Sequence, residues 1–344
     1  MKPVPAPKRI LLVRTDRIGD VVLSLPSAGL IKSRLPGAGV HFLTRPYTAP
    51  LAAMAPDVDS VLEDEPGTGA WRLSRRISAG KYDAAVLLHP TARLAAALFL
   101  ARIPVRIGTA YRSYSFLLNR RVPLHRRDSR RHELELNLEL VDRGLGLGAS
   151  EEIVKKRWLP RLNVVPASRE AAAGTLGAQS GKEIVVVHPG SGGSARDWPL
   201  RNFGALIDRL SGAGLAVAVT LGPGEEALRG RLEPMLSSRP GWLSGLALGE
   251  LAAALSLAGL VVSNSTGPLH IASAAGARAL GIYCPVKPCL PRRWGPYGPG
   301  HLALVPEAPA CDRCSGESCR HWDCMESLTV ESVFAKALEM LQKP

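Results

Sequence analysis

No apolar run in this 344-residue chain reaches the roughly 18 residues that a membrane-spanning helix needs; stretches such as LAAALSLAGLVV stop at Ser263-Asn264. The opening MKPVPAPKRILLVRTD has an apolar stretch of only four residues and no small-residue cleavage site, which argues against a secretion signal and for a cytosolic location. Aromatic residues make up 5% of the chain, with no RNA-binding aromatic signature, helix-turn-helix pattern or low-complexity basic tail, so nucleic acid is not an expected partner. Neither half carries G-x-G-x-x-G behind its first strand, which argues against a dinucleotide oxidoreductase. Acidic residues are scarce, 30 against 43 Lys and Arg, for a net charge of +13. The deficit is steepest between positions 101 and 132, where nine arginines face the single acid Asp128. Such a field attracts polyanions, whether phosphorylated substrates or anionic lipid head groups; a plain solvated surface is the other reading.

What the chain does have is 46% apolar residues, with helical and strand patterns alternating from end to end. That suits α/β layers, and the length accommodates two cores. In the first half RILLVRT, GVHFLT and YDAAVLLHP read as strands and residues 21–35 as a helix ending at Pro36-Gly37. HELELNLELVDRGLGLG reads as a helix whose Leu134, Leu138, Val141 and Leu145 recur at helical spacing. Residues 160–182 carry no strand pattern and little periodicity beyond a short helix, which marks the linker. The expected domains are 1–165 and 166–328, with a terminal segment 329–344.

The run Ile10-Leu11-Leu12-Val13 is short, apolar and bounded by turn residues, the pattern of a fully buried parallel strand. The RTDRIGD that follows therefore lies at a carboxyl edge of the sheet, where ligands bind in open α/β folds. One of the two aspartates in that turn, Asp16 or Asp20, is a candidate for chemistry, with a helix cap as the alternative.

The second half restarts with EIVVVHPGSGGSARDWP and repeats one arrangement three times: a buried strand, a loop and a helix. The loops PGSGGSARDWP, PGEEALR and STGPLHIASAAGA converge on one sheet edge and together describe a nucleotide site; singly, each reads as an ordinary glycine turn. In the third, Ser265 or Thr266 caps a helix, Pro268 fits its first turn and Gly276 ends it. A diphosphate is the natural occupant of such a helix start. The first loop adds amides at Gly190, Gly192 and Gly193, hydroxyls of Ser191 and Ser194, and the charge of Arg196. Glu225 and Glu226 in the middle loop are placed to accept from two ribose hydroxyls.

Four segments resemble glycosyltransferase family 9, the lipopolysaccharide heptosyltransferases, in order and over nearly the whole chain: ILLVRTDRIGDVVLSLP, HPGSGGSARDWPLRNFGALIDRL, LSGLALGELAAALSLAGLVVSNSTGPLHIASAAG and CMESLTVESVFAKALEML. The resemblance implies an α/β GT-B fold: two Rossmann-like doubly wound domains facing across an interdomain cleft, acceptor-binding first and nucleotide-sugar-binding second. It also implies that the closing helix in 329–344 crosses back to the first domain. The aspartate of the family's I-G-D motif falls on Asp20, which the resemblance makes the catalytic base of an inverting transfer. Placement at a helix start favours its ionised form; a weak base suffices, because the attacking hydroxyl grows acidic as its oxygen bonds to carbon. The family's phosphate-binding lysine in K-x-W-P is Arg196 here, keeping the charge and adding a planar fork. Where many relatives have N-D-T-G-P this chain has Asn264-Ser265-Thr266-Gly267-Pro268; Thr266, Gly267 and His270 match. No D-x-D lies between strands in the manner that holds divalent ions in the other major glycosyltransferase fold, so no metal is expected in catalysis.

Cys311, Cys314, Cys319 and Cys324 form C-x2-C-x4-C-x4-C, a spacing compatible with structural zinc, though reduced thiols or a redox-labile pair are the favoured reading. The implied acceptor is an anionic lipopolysaccharide-type glycolipid, for which Arg17, His89, Arg112 and Arg120 are the candidate contacts. That in turn implies transient contact with the cytoplasmic face of the inner membrane. The leading expectation is heptose transfer from ADP-heptose to the Kdo or heptose inner core. The alternatives are another nucleotide sugar on a different surface glycan, a nucleotide-sugar epimerase, and a non-catalytic nucleotide-sugar-binding protein.

Overall fold

In β1 (Arg9–Val13), Ile10, Leu11, Leu12 and Val13 are all fully inaccessible to solvent, as a strand covered on both faces must be. A computed structural model describes residues 7–126, 129–154, 158–176, 183–193, 195–315, 319–321 and 323–342. The chain divides into two units, Met1–Leu162 and Asn163–Pro344.

In the first unit β1 pairs in parallel with β2 (Gly39–Thr44) on one side and with β4 (Ala84–Leu87) on the other. β3 (Ser60–Glu63), β5 (Val105–Thr109) and β6 (Arg120–Val122) complete a six-stranded sheet ordered β3-β2-β1-β4-β5-β6. Helices Ala70–Ala79 and Ala92–Leu100 pack side by side, and Leu73, Ile77, Leu94 and Leu98 share one core with Leu11, Val13 and Leu87. Helix Glu133–Leu145, closed by Gly146 at φ 74°, packs against β4, β5 and β6. The single helix expected over 21–35 is two, Ile18–Val22 and Pro26–Arg34. Pro26 has no N–H to continue the first and sits in the opening turn of the second.

The second unit repeats the plan. β7 (Ile184–His188), β8 (Ala216–Leu221), β9 (Gly241–Ser244), β10 (Leu260–Asn264), β11 (Arg278–Ile282) and β12 (Leu302–Leu304) form a parallel sheet ordered β12-β11-β10-β7-β8-β9. Helix Pro166–Leu176 falls within the expected linker and packs on helix Leu248–Ser256. The closing helix Val330–Gln342 packs on helix Leu200–Gly212, with Val333, Ala337 and Met340 in the second unit's core. In each unit the strand order reverses beside the first strand, between β1 and β4 and between β7 and β10. That reversal opens a crevice at the carboxyl ends of those strands, the usual ligand position in doubly wound sheets.

Candidate active-site residues in the two units

The crevice of the first unit is organised by an arginine that sequence reading passed over. Arg14 follows β1 directly and is 4% exposed, yet its guanidinium reaches three carboxylates. Nε donates to Asp16 Oδ1 (2.8 Å), Nη2 to Asp20 Oδ1, and Nη1 to Glu133 Oε1 (3.2 Å) and the Leu88 carbonyl (3.2 Å). Burial alone disfavours a cation, but Asp16, Asp20 and Glu133 outweigh it and the Arg14 pKa is raised. Arg126 donates to the same Glu133 oxygen and to Asn137 Oδ1 (3.1 Å), so Arg14 and Arg126 converge on one carboxylate.

Asp20 is held at its backbone as well. It lies in the first turn of helix Ile18–Val22, where Ser24 Oγ donates to its carbonyl (2.7 Å) and Asn137 Nδ2 donates to Ser24 Oγ (3.1 Å). Its carboxylate makes no side-chain cap of that helix, whose N-cap residue is the exposed Arg17. Burial pushes the Asp16 carboxyl up to about 6, Arg14 opposing and the Asp20 charge adding. His89, just past β4, meets Thr15 Oγ1 through Nδ1 (3.2 Å). Burial, with the nearby Arg14 charge, lowers its pKa to about 4, so the ring is neutral at pH 7. Glu133 and Asn137 had one sequence signal: a polar pair four apart on the same helix as Leu134 and Leu138, both buried.

Two acceptor candidates diverge from this cluster. Arg112 is exposed in the loop after β5, its N–H on Ser115 Oγ (3.2 Å). Arg120 is turned to the other end of the sheet: Nη1 donates to the Gly144 carbonyl (2.9 Å), in the last turn of the helix that begins at Glu133. Eleven residues at 1.5 Å each put that contact about 16 Å from Glu133, so Arg120 caps a helix end rather than joining the Asp20 cluster. The chain also contains one D-x-D, Asp57-Val58-Asp59, but it precedes β3. Asp59 there is paired with Lys32 (2.6 Å) and the Val40 N–H (2.7 Å).

In the second unit Asn264, the last residue of β10, ties down the first loop. Its Nδ2 donates to the Pro189 carbonyl (2.7 Å) and its Oδ1 accepts from Trp198 N–H (3.0 Å), pinning the loop where it leaves β7 and where it reaches the next helix. Trp198 is buried, stacked edge-on against Phe203, with Nε1 on the Leu328 carbonyl (2.8 Å). Between the pins Gly192 and Gly193 sit at φ 55° and 71°, backbone that favours glycine, and the buried Ser191 accepts the Gly193 N–H (3.2 Å). Arg196 is partly exposed on this loop; Ser194 lies outside the described residues.

The third loop leads into helix Gly267–Ala274, with Thr266 at the extended N-cap position, Pro268 in the first turn and Gly276 at φ 94° beyond its end. Thr266 makes no side-chain cap. Ser265 N–H bonds the Ile282 carbonyl (2.9 Å), and His270 is buried on the same helix. The two glutamates of the middle loop are unequal. Glu226 is exposed at the start of its helix, whereas Glu225 turns inward, accepting the Gly222 N–H (2.7 Å) and lying 3.7 Å from His188 Nε2. Burial lowers the pKa of His188, whose Nδ1 donates to the Thr220 carbonyl (3.0 Å). A Cβ at Gly190 would come within 2.1 Å of Glu225 Oε1, so glycine there makes room for the carboxylate.

All six cysteines are free. The structure regroups them: Cys311 pairs by backbone with Pro285 and Lys287, and Cys289, Cys311 and Cys324 pack against the core that contains Cys284. Among the described residues no set of three or more His, Cys, Asp or Glu side chains is placed to hold a metal.

The whole architecture matches the solved Escherichia coli ADP-heptose lps heptosyltransferase II, with a TM-score of 0.81 at 19% identity over 97% of this chain and 98% of that one. The fold is therefore GT-B, the two-unit Rossmann-like layout of glycosyltransferases. The family model of glycosyltransferase family 9 (heptosyltransferase) matches residues 70–322, and this chain belongs to that family. It is 29% identical over 88% of its length to a Haemophilus influenzae protein, 90% of which is covered and whose own description as a glycosyltransferase is provisional. It is 26% identical over 81% of its length to lipooligosaccharide heptosyltransferase 2 of the same organism, 84% of which is covered.

Proposed function

We propose that this glycosyltransferase moves heptose from ADP-heptose to the Kdo or heptose inner core of a lipopolysaccharide-type acceptor, with inversion and without a divalent metal. The observation that carries the reading is the Asp20 carboxylate, fixed by a buried arginine and by its own carbonyl at the switch point of the first unit. In the reaction Asp20 accepts the proton of the acceptor hydroxyl as that oxygen bonds the anomeric carbon. The bond from that carbon to the diphosphate breaks on the opposite face, and ADP leaves with the electron pair. The second unit holds the donor. Amides of the Gly190–Gly193 loop, the start of helix Gly267–Ala274 and the Arg196 charge stabilise the departing diphosphate. Ser191, Thr266 and His270 serve this cradle, and the exposed Glu226 meets a ribose hydroxyl. Arg17, His89 and Arg112 serve the acceptor. Because the acceptor is a glycolipid, the enzyme works at the cytoplasmic surface of the inner membrane; no helix among the described residues is long and apolar enough to cross one.

Arg196 and Ser265 stand where the usual family pattern has lysine and aspartate, which favours a second reading: the same transfer chemistry with another nucleotide sugar. Thermal shift with a panel of nucleotide sugars separates the two, since a tight ligand stabilises by mass action. ADP-heptose giving the largest shift supports the first reading; only UDP or GDP sugars shifting the melt supports the second.

A further inference from the structure

Between Pro66 and Arg127 the sequence has one acid, Asp83, against eleven arginines and one lysine. Asp83 is occupied by the backbone N–H groups of Lys8 and Arg9 (2.8 and 2.9 Å). Helix Ala70–Ala79 buries Leu73 and Ile77 and presents Trp71, Arg72, Arg75 and Arg76 to solvent. An ordinary solvated helix mixes charges of both signs, and this one has none of the negative sign. Its neighbour, helix Ala92–Leu100, ends in exposed Phe99 and Leu100 and packs on the short turn Ser115–Leu117, whose Phe116 is 74% exposed. Arg106 joins the two: it lies 5.3 Å from the centre of the Phe99 ring and donates through Nε to the Leu117 carbonyl (2.9 Å).

Of the eight large apolar side chains exposed among the described residues, four, Trp71, Phe99, Leu100 and Phe116, thus sit on three elements packed in series. Among those residues none of Arg72, Arg75, Arg76 and Arg102 has an acidic partner. Aromatic and aliphatic side chains projecting from a surface of unpaired arginines suit the boundary of an anionic bilayer, where rings enter the head-group region and guanidinium groups meet phosphate. A second copy of the chain would bring like charges together, which opposes self-association through this face.

We infer that the face formed by helices Ala70–Ala79 and Ala92–Leu100 and the turn Ser115–Leu117 docks the enzyme on a bilayer rich in anionic phospholipid. This deepens the proposed function by naming the surface through which a glycolipid-modifying enzyme meets its membrane. It rests on that reading for its purpose but not for its test.

The test is flotation of the full-length protein with vesicles of phosphatidylcholine, with and without phosphatidylglycerol, in the absence of nucleotide sugar and glycolipid. The expected result is binding to the phosphatidylglycerol vesicles, weaker by about tenfold or more on phosphatidylcholine alone or in 0.5 M salt. Arg75→Glu with Arg76→Glu, and separately Trp71→Ser with Phe116→Ser, each lower binding by about tenfold while the melting temperature is kept. Brominated lipids quench tryptophan fluorescence in the parent and much less in Trp71→Phe, a readout that does not depend on the stability of the paired variants. Failure to bind anionic vesicles, equal binding by both paired variants, or a preference for duplex DNA over vesicles overturns the inference. Failure of heptosyl transfer alone leaves it standing, because the vesicles contain neither substrate.

Discussion

Asp16 and Asp20 share one guanidinium: Arg14 donates through Nε to the first and through Nη2 to the second, with both carboxylates at the crevice of the first unit. Removing that cation leaves Asp16 and Asp20 without the guanidinium they share and takes one cation from Glu133, which Arg126 also bonds. Arg14→Met is therefore expected to lower stability by about 3–5 kcal/mol, the cost of breaking a buried pair by deleting one partner. Urea unfolding of the variant measures it, and a loss below about 1 kcal/mol, the size of an exposed ion pair, contradicts the central place given to Arg14.

The pH dependence of stability carries a second signature. Folded Asp16 keeps its proton up to about pH 6, whereas the unfolded side chain releases it near 3.8, so its contribution to stability falls as the pH rises through that window. His89 acts with the opposite sign: folded, it takes up a proton only near pH 4, unfolded near 6.5, so its contribution grows as the pH rises between those values. Melting curves of Asp16→Asn and His89→Gln from pH 4 to 7 should deviate from the parent in opposite directions. Deviations of the same sign exclude the assignment.

Much of this is legible in the sequence itself. β1 and its exit loop follow from Ile10–Val13, because only a strand buried on both faces is apolar at every position. The start and end of helix Gly267–Ala274 follow from Pro268 and Gly276, whose constraints are local. Arg14 was not legible, since its meaning depends on Glu133, 119 residues away, and a buried arginine is recognised only by its acids. The direction of Arg120 is hidden for the same reason: charge attracts attention to the crevice, but its acceptor is the Gly144 carbonyl, 24 residues further along the chain. Glu225 reads as a ribose ligand until Gly190 shows how closely its carboxylate is folded onto the protein.

Asn264 is expected to govern donor binding without touching the sugar. Asn264→Ala removes the bonds to the Pro189 carbonyl and Trp198 N–H, both buried, which costs about 1–3 kcal/mol for each group left unsatisfied. Calorimetry should find the affinity for ADP lowered along with the melting temperature. An unchanged affinity would show that the loop keeps its shape without the pin.

At Gly190 the expectation is steric. An added methyl group must displace the Glu225 carboxylate, so Gly190→Ala should weaken nucleotide binding, while Gly190→Ala with Glu225→Ala recovers part of the loss of stability. A double-mutant cycle reads the coupling; additive effects would mean the two residues are independent.

The most direct measurement is transfer by Asp20→Ala, assayed with ADP-heptose and a Kdo-bearing lipid acceptor beside calorimetric binding of ADP. Transfer is expected to fall by at least about a thousandfold, in line with loss of a general base and its preorganised setting, while the affinity for ADP changes by less than about threefold. Transfer within about tenfold of the parent would contradict the account, because a base that can be deleted at that cost is not the group that takes the proton.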